Sequence, residues 1–202
     1  MYFYHSSVIK IPDIVNSIRT EDIYKSVTDR YFSRRYCIDV KGTIGNDHLL
    51  LFHSNKICVI TLAPSHPIFK KDDFSVNFQV GNTDRTKNAV KGKGKKGGQI
   101  LDYNSTLCKI KCGDGDEFVV SSCIKGKLIE VNDALIENPH LLKSDPDSCG
   151  YIAVVLTLIS TNARIQGELL DPDQYQTILT VDSQNQLLIG SHIGNINKPI
   201  TS

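Results

Sequence analysis

A chain of 202 residues, with 40% hydrophobic and 22% charged residues, is long enough to bury one core and too apolar to be disordered throughout. A formal net charge of +1 excludes binding driven by overall charge, so any electrostatic partner must meet a local patch. No run approaches the ~18 apolar residues of a membrane-spanning helix, and six cysteines without a Cys-x-x-Cys pair fit reduced thiols in an intracellular protein.

Residues 1–27 read as an N-terminal extension, with Ile14, Val15 and Ile18 on one face of a short helix after Pro12. It lacks the basic-then-apolar layout of a secretory signal, and Asp13, Glu21 and Asp22 argue against a mitochondrial presequence. A single domain is expected over 28–182. It begins with an aromatic and basic stretch from Asp29 to Gly42. Leu49–Phe52 and Ile57–Leu62 then predict two strands around a Ser54-Asn55 turn, closed off by Pro64 and Pro67. From Phe74 to Val80 the apolar residues alternate with Ser75, Asn77 and Gln79, the pattern of a half-buried strand. Arg85 to Gly98 holds six basic residues, no acid and several glycines, which predicts a mobile loop.

A strand over 107–112 presents Cys108, Ile110 and Cys112 on one face and ends in the tight turn Gly113-Asp114-Gly115-Asp116. Two apolar runs, Phe118–Ile124 and Leu128–Val131, then flank Lys125-Gly126, where a glycine at positive φ would let the chain reverse as a hairpin. Asn132 is placed to cap a helical turn that ends at Asn138-Pro139. Gly150–Leu156 is apolar on both faces and predicts a central strand. Near the C-terminus Asp171 is an N-cap, Pro172 the first helical residue and Gln174 the partner of a capping box. Leu170 and Tyr175 occupy the staple positions, and the helix should run to about Leu179. Residues 183–202 are polar and predict a disordered tail.

Candidate chemistry is sparse. Cys123 with His48, His53, His66 or His140 supplies the ingredients of a cysteine nucleophile, but no local motif surrounds it and a buried core cysteine is the simpler reading. No metal site is expected. His48 and His53 fall on opposite strand faces, and Cys108 and Cys112 stand roughly 13 Å apart along one strand. The glycine–lysine stretch lacks the frame of a P-loop. Its basic side chains, Arg85, Lys87, Lys91, Lys93, Lys95 and Lys96, are the candidate partner-binding residues, for acidic protein, phosphoinositide or nucleic acid.

The order from Gly126-Lys127-Leu128-Ile129-Glu130-Val131-Asn132 through Glu137-Asn138-Pro139 to the glycine-led strand resembles the C-terminal half of the glycine-cleavage H protein. Gly167–Tyr175 is similar to that family's C-terminal helix. The resemblance implies a mainly β barrel-sandwich hybrid with short helices and a C-terminal helix. A lipoyl carrier needs a lysine at an exposed hairpin tip. Gly113–Asp116 has none, while Lys109 and Lys111 lie on the strand leading in and Lys125 on the other turn.

A fuller likeness spans roughly residues 28–180. The stretches Asp29–Tyr36 with Asp39–Gly42, Asp47–Pro67, Leu107–Asn132 and Gly150–Leu156 together resemble the Abitram family, the actin-binding transcription modulators also called Simiate. That resemblance implies a non-enzymatic, unlipoylated protein without a cofactor. It implies an actin partner, an effect on filament dynamics, and a place in the nucleus, nuclear speckles included, and in the cytoplasm with its actin-rich projections. Two alternatives stay open: a lipoyl-type carrier or its vestige, and a nucleic-acid-binding module using residues 85–98.

Overall fold

The computed structural model describes residues 25–157 and 167–182. The predicted leader helix and the predicted C-terminal tail lie outside these residues. Eleven strands follow in chain order: β1 (Phe32–Cys37), β2 (His48–His53), β3 (Ile57–Leu62), β4 (Phe74–Asn77), β5 (Gln79–Val80), β6 (Thr83–Asp84), β7 (Ile100–Leu101), β8 (Thr106–Cys112), β9 (Glu117–Ser121), β10 (Gly126–Val131) and β11 (Ala153–Thr157). Short helices α1 (Val27–Tyr31), α2 (Ala134–Glu137) and α3 (Leu141–Ser144) decorate the frame. A longer helix, α4, spans 172–182.

A six-stranded sheet in the order β1-β2-β3-β11-β10-β7 packs on a three-stranded sheet, β4-β8-β9. Leu50, Phe52, Ile60, Phe74, Ile110, Val120, Leu128 and Val155 fill the space between them. β2 reads as an unbroken apolar run because both its faces are covered. Leu50 and Phe52 point into this core. Leu49 and Leu51 join a second cluster with Tyr36, Ala63 and Tyr175. Tyr175 belongs to α4 and stacks on Tyr36, ring centroids 4.1 Å apart. The capping box forms as the residues predict: Asp171 N–H donates to Gln174 Oε1 (3.0 Å) and Gln174 N–H to Asp171 Oδ1 (2.8 Å). Leu170 pairs with the edge of β1 through Tyr36 and so seats the helix.

The β2–β3 hairpin turns where expected. Asn55 Oδ1 accepts the Ile57 N–H, and Lys56 takes the left-handed conformation (φ 73°). The half-buried strand from Phe74 divides after Asn77. β4 pairs with β8, Phe78 stays buried, and β5 turns away to pair with β6. Cys108, Ile110 and Cys112 all face inward from β8, and the turn at 113–116 links β8 to β9.

Two readings need correction. Phe118–Ile124 and Leu128–Val131 do not form a hairpin. β9 belongs to the smaller sheet and β10 to the larger, so the chain between them crosses from one layer to the other. Gly126 does not have positive φ either. A Cβ there would lie 2.5 Å from Val155 Cγ1 and 2.7 Å from Leu156 O, so the glycine is required by the close approach of β10 to β11. The positive φ in this crossing belongs to Cys123 (56°). The second correction concerns Asn132, which caps no helix. Its Nδ2 donates to Cys149 O (2.8 Å) and Tyr151 O (2.9 Å), clamping the approach to β11, while Asp133 stands at the N-cap without a side-chain bond. The helical turn does end at Asn138, ahead of Pro139.

Candidate functional site

Residues 85–98 fold as a small basic hairpin rather than a structureless loop. Lys91 and Lys96 exchange both backbone hydrogen bonds, each 2.9 Å, around a tip where Gly92 and Lys95 have positive φ. Its base is fixed to β10. Asn88 Nδ2 donates to Leu128 O (3.0 Å) and Ile129 O (2.9 Å), and Asn88 Oδ1 accepts the Gln99 N–H (2.8 Å). Lys127 Nζ reaches back from β10 to Gly94 O at 3.3 Å.

The six predicted basic residues divide into two groups. Arg85 is half-buried, donating from Nε to Thr106 O (3.0 Å) and from Nη1 to Gln99 Oε1 (2.6 Å), and its burial pulls the guanidinium pKa down. Lys87 pairs with Asp84 at 3.4 Å. Among the described residues, no ion pair engages Lys91, Lys93, Lys95 or Lys96. Lys91, Lys93 and Lys96 are exposed and Lys95 partly so. Beside them runs the short edge strand β7, with Ile100 75% exposed over a groove of about 320 Å³ that Lys125 and Lys127 also line. The hairpin is thus a rigidly based spray of ammonium groups next to an apolar edge. Such an arrangement attracts an acidic surface and leaves apolar area for it to cover.

The β8–β9 tip is the opposite kind of turn. It carries Asp114 and Asp116, and Lys71, arriving ahead of β4, pairs with both, at 2.6 Å from Asp116 Oδ2. Asp114 and then Asp116 hold the Lys71 ammonium protonated well above the usual lysine range. An amine so held is a cation and not a nucleophile. Lys109 and Lys111 pair with Glu117, and Lys125 with Asp102.

Behind the surface lies a buried polar cluster. Asn46 Nδ2 donates to Val40 O (2.9 Å) and Val119 O (3.1 Å), which fixes its Oδ1 as an acceptor. His66 Nε2 lies 3.0 Å and His48 Nε2 3.3 Å from that oxygen, so both rings carry their proton on Nε2. His66 Nδ1 accepts the Ile68 N–H (3.1 Å), and His48 Nδ1 faces Cys123 Sγ at 3.3 Å. The candidate Cys–His pair is therefore real in space, and Asn46 completes a Cys–His–Asn line. Its chemistry runs against nucleophilic catalysis. Burial, with the neighbouring His66 second, pushes His48 down to about 3, and burial pushes His66 down to about 4. Cys123 is only 8% exposed and its thiol pKa is raised by donation toward Cys37 and by burial. The cluster rests neutral, without the thiolate–imidazolium pair that such catalysis requires. His53 and His140 stay apart, packed against Phe32 and Phe74.

Among the described residues no group of three or more His, Cys, Asp or Glu side chains is placed to hold a metal ion. No described helix is long and apolar enough to cross a membrane. Asn46, Lys71 and Lys127 were not singled out from the sequence. Each is tied to partners 33 to 73 residues away, a pairing that no local pattern signals.

The two-layer frame, the β8–β9 hairpin and the capped final helix define an H-protein-like barrel-sandwich domain. Residues 69–182 match the family described as glycine cleavage H-protein. A crystal structure of the glycine cleavage system H protein from Mycobacterium marinum superposes with a TM-score of 0.51 at 14% identity, covering 73% of this chain and 97% of that one. That likeness concerns the fold alone. Similarity in sequence goes further. The chain is 44% identical over 183 residues to Protein Abitram of Drosophila melanogaster, covering 89% of this chain and 84% of that protein. It is 46% identical over 165 residues to Protein Abitram of Danio rerio, covering 80% and 93%. The chain belongs to the Abitram family.

Proposed function

We propose that this protein is a non-enzymatic binding protein that engages actin through its basic hairpin and alters filament dynamics, acting in the nucleus, at speckles, and in the cytoplasm with its actin-rich projections. The observation that carries the reading is the contrast in pairing: among the described residues Lys91, Lys93, Lys95 and Lys96 form no ion pair, on a hairpin whose base is bonded to β10. Support against the carrier alternative comes from the β8–β9 tip, which offers two carboxylates where a lipoyl carrier presents a lysine. A surface whose ammonium groups are unspent steers an acidic partner and sets its salt dependence.

Co-sedimentation with purified filaments at rising salt tests this. The protein should pellet with filaments at low salt and be released as the Debye length shrinks from ~10 Å at 0.1 M. Pelleting that ignores salt, or none at low salt, would remove the hairpin from the account. The same four lysines also support a nucleic-acid reading. That reading predicts retention on single-stranded RNA with a steep log–log salt slope. Running RNA beside actin separates the two.

A further inference from the structure

Cys37 is the last residue of β1 and pairs directly with His48 of β2. Residues so opposed share a sheet face, with Cβ atoms about 4.5–5.5 Å apart. That face is the main core, against which Cys37 packs while remaining partly exposed. Cys123 approaches the same imidazole from the β9–β10 crossing, its Sγ 3.3 Å from His48 Nδ1. Two thiols, 86 positions apart by their numbers 37 and 123, therefore converge on one histidine. One is reachable from solvent and the other is buried. None of the remaining cysteines has this setting. Cys58 and Cys108 are fully buried, Cys112 lies on the inner face of β8, and Cys149 is exposed.

We propose that Cys37 and Cys123 form a peroxide-responsive dithiol that closes to an intramolecular disulfide beside His48. Cys37 is the more exposed of the two and so meets peroxide first, and its neighbour Cys123 draws its thiol pKa down. The Cys37 thiolate attacks hydrogen peroxide, a sulfur–oxygen bond forms, the O–O bond breaks, and the departing hydroxide takes up the proton that Cys37 released. Cys37 is now a sulfenic acid. The Cys123 sulfur then attacks the Cys37 sulfur, the sulfur–oxygen bond of the sulfenic acid breaks, and the departing hydroxide takes the Cys123 thiol proton as water. Two thiols and one peroxide become one disulfide and two waters. His48, contacted by Cys123 and paired across the strands with Cys37, holds the two sulfurs on one side of the sheet. The bond would tie the end of β1 to the crossing between the sheets.

The test uses the full chain carrying Cys149→Ser, which removes the exposed thiol. Treat it with hydrogen peroxide, alkylate the remaining thiols under denaturing conditions, and map the non-reduced digest by mass spectrometry. The expected result is a linked peptide pair joining Cys37 to Cys123 in monomeric protein, reversed by dithiothreitol. A second variant adds Cys123→Ser, and there a dimedone adduct should accumulate on Cys37. Full alkylation of both cysteines after treatment would overturn the proposal, as would oxidation of Cys37 to its sulfinic acid with Cys123 still free.

Discussion

The buried cluster and the basic hairpin use polar residues in opposite ways. In the Asn46 cluster the two imidazoles rest neutral and donors meet acceptors inside the protein: His48 and His66 share one amide oxygen, and Cys123 meets the remaining ring nitrogen of His48. On the hairpin the backbone is bonded to β10, yet Lys91, Lys93, Lys95 and Lys96 pair with no carboxylate among the described residues. Satisfied polarity makes scaffold, whereas unsatisfied charge on a fixed base is available to a partner. Lys71 makes the same point in reverse, since a lysine held by Asp114 and Asp116 has already spent its charge.

Four expected outcomes sharpen this contrast. The largest concerns acid. His48 and His66 have folded pKa values near 3 and 4, below the ordinary histidine value, so the unfolded chain binds more protons than the native one as pH drops below ~6.5. Their contribution to stability is complete above that pH and is lost as pH falls toward the folded values, at about 1.4 kcal/mol per unit for each histidine. Urea melts between pH 7 and pH 4 should show a loss of several kcal/mol, an order-of-magnitude figure. His66→Gln, which keeps a donor toward Asn46 without titrating, should flatten the slope. A pH-independent midpoint would mean that the cluster is not a neutral scaffold.

Next in size is Gly126→Val. The new side chain meets Val155 and the Leu156 carbonyl across the β10–β11 pair, and overpacking of this kind costs roughly 1–3 kcal/mol. An unchanged melting temperature would contradict the close approach. Asn88→Ala removes the bonds to Leu128 O, Ile129 O and Gln99 N–H, with an expected loss of about 1–2 kcal/mol. Amide exchange should rise across 88–99 while β8 and β9 keep their protection. Smallest is the effect on stability of converting Lys91, Lys93, Lys95 and Lys96 to Ala, expected within about 0.5 kcal/mol because these side chains form no ion pair among the described residues and lie at the surface. A larger loss would show that the hairpin lysines are structural after all.

Much of the frame was legible where neighbours in sequence are also partners. The β2–β3 hairpin, the inward face of β8, the tip at 113–116 and the Asp171–Gln174 box are all local, so periodicity and turn chemistry reveal them. The lipoyl-lacking tip was visible for the same reason. Gly126 was misread because a glycine between two apolar runs looks the same whether it turns the chain or admits a neighbouring strand. Only the assignment of β9 and β10 to different sheets distinguishes them. Asn132 invited the same error, since a capping side chain and a clamp on Cys149 and Tyr151 need the same residue type. The hairpin lysines were found as a charge run, but that run could not tell Arg85, bonded inward to Thr106, from the lysines beyond it. The Asn46–His48–His66–Cys123 cluster bonds His48 to Cys123 across 75 positions, and no spacing rule reaches that far.

The proposed role of Lys91, Lys93, Lys95 and Lys96, which pair with no carboxylate among the described residues, is to carry the electrostatic part of actin binding. Its most direct test is the association rate with actin filaments, measured against salt for the parent and for the variant with Lys91, Lys93, Lys95 and Lys96 all converted to Ala. Solvent-exposed charges act mainly on encounter, so the variant should associate roughly several-fold to tens-fold more slowly at low salt and converge with the parent at high salt. Equal rates and equal salt dependence in the two proteins would contradict the claim and move the actin surface from the hairpin to the β body.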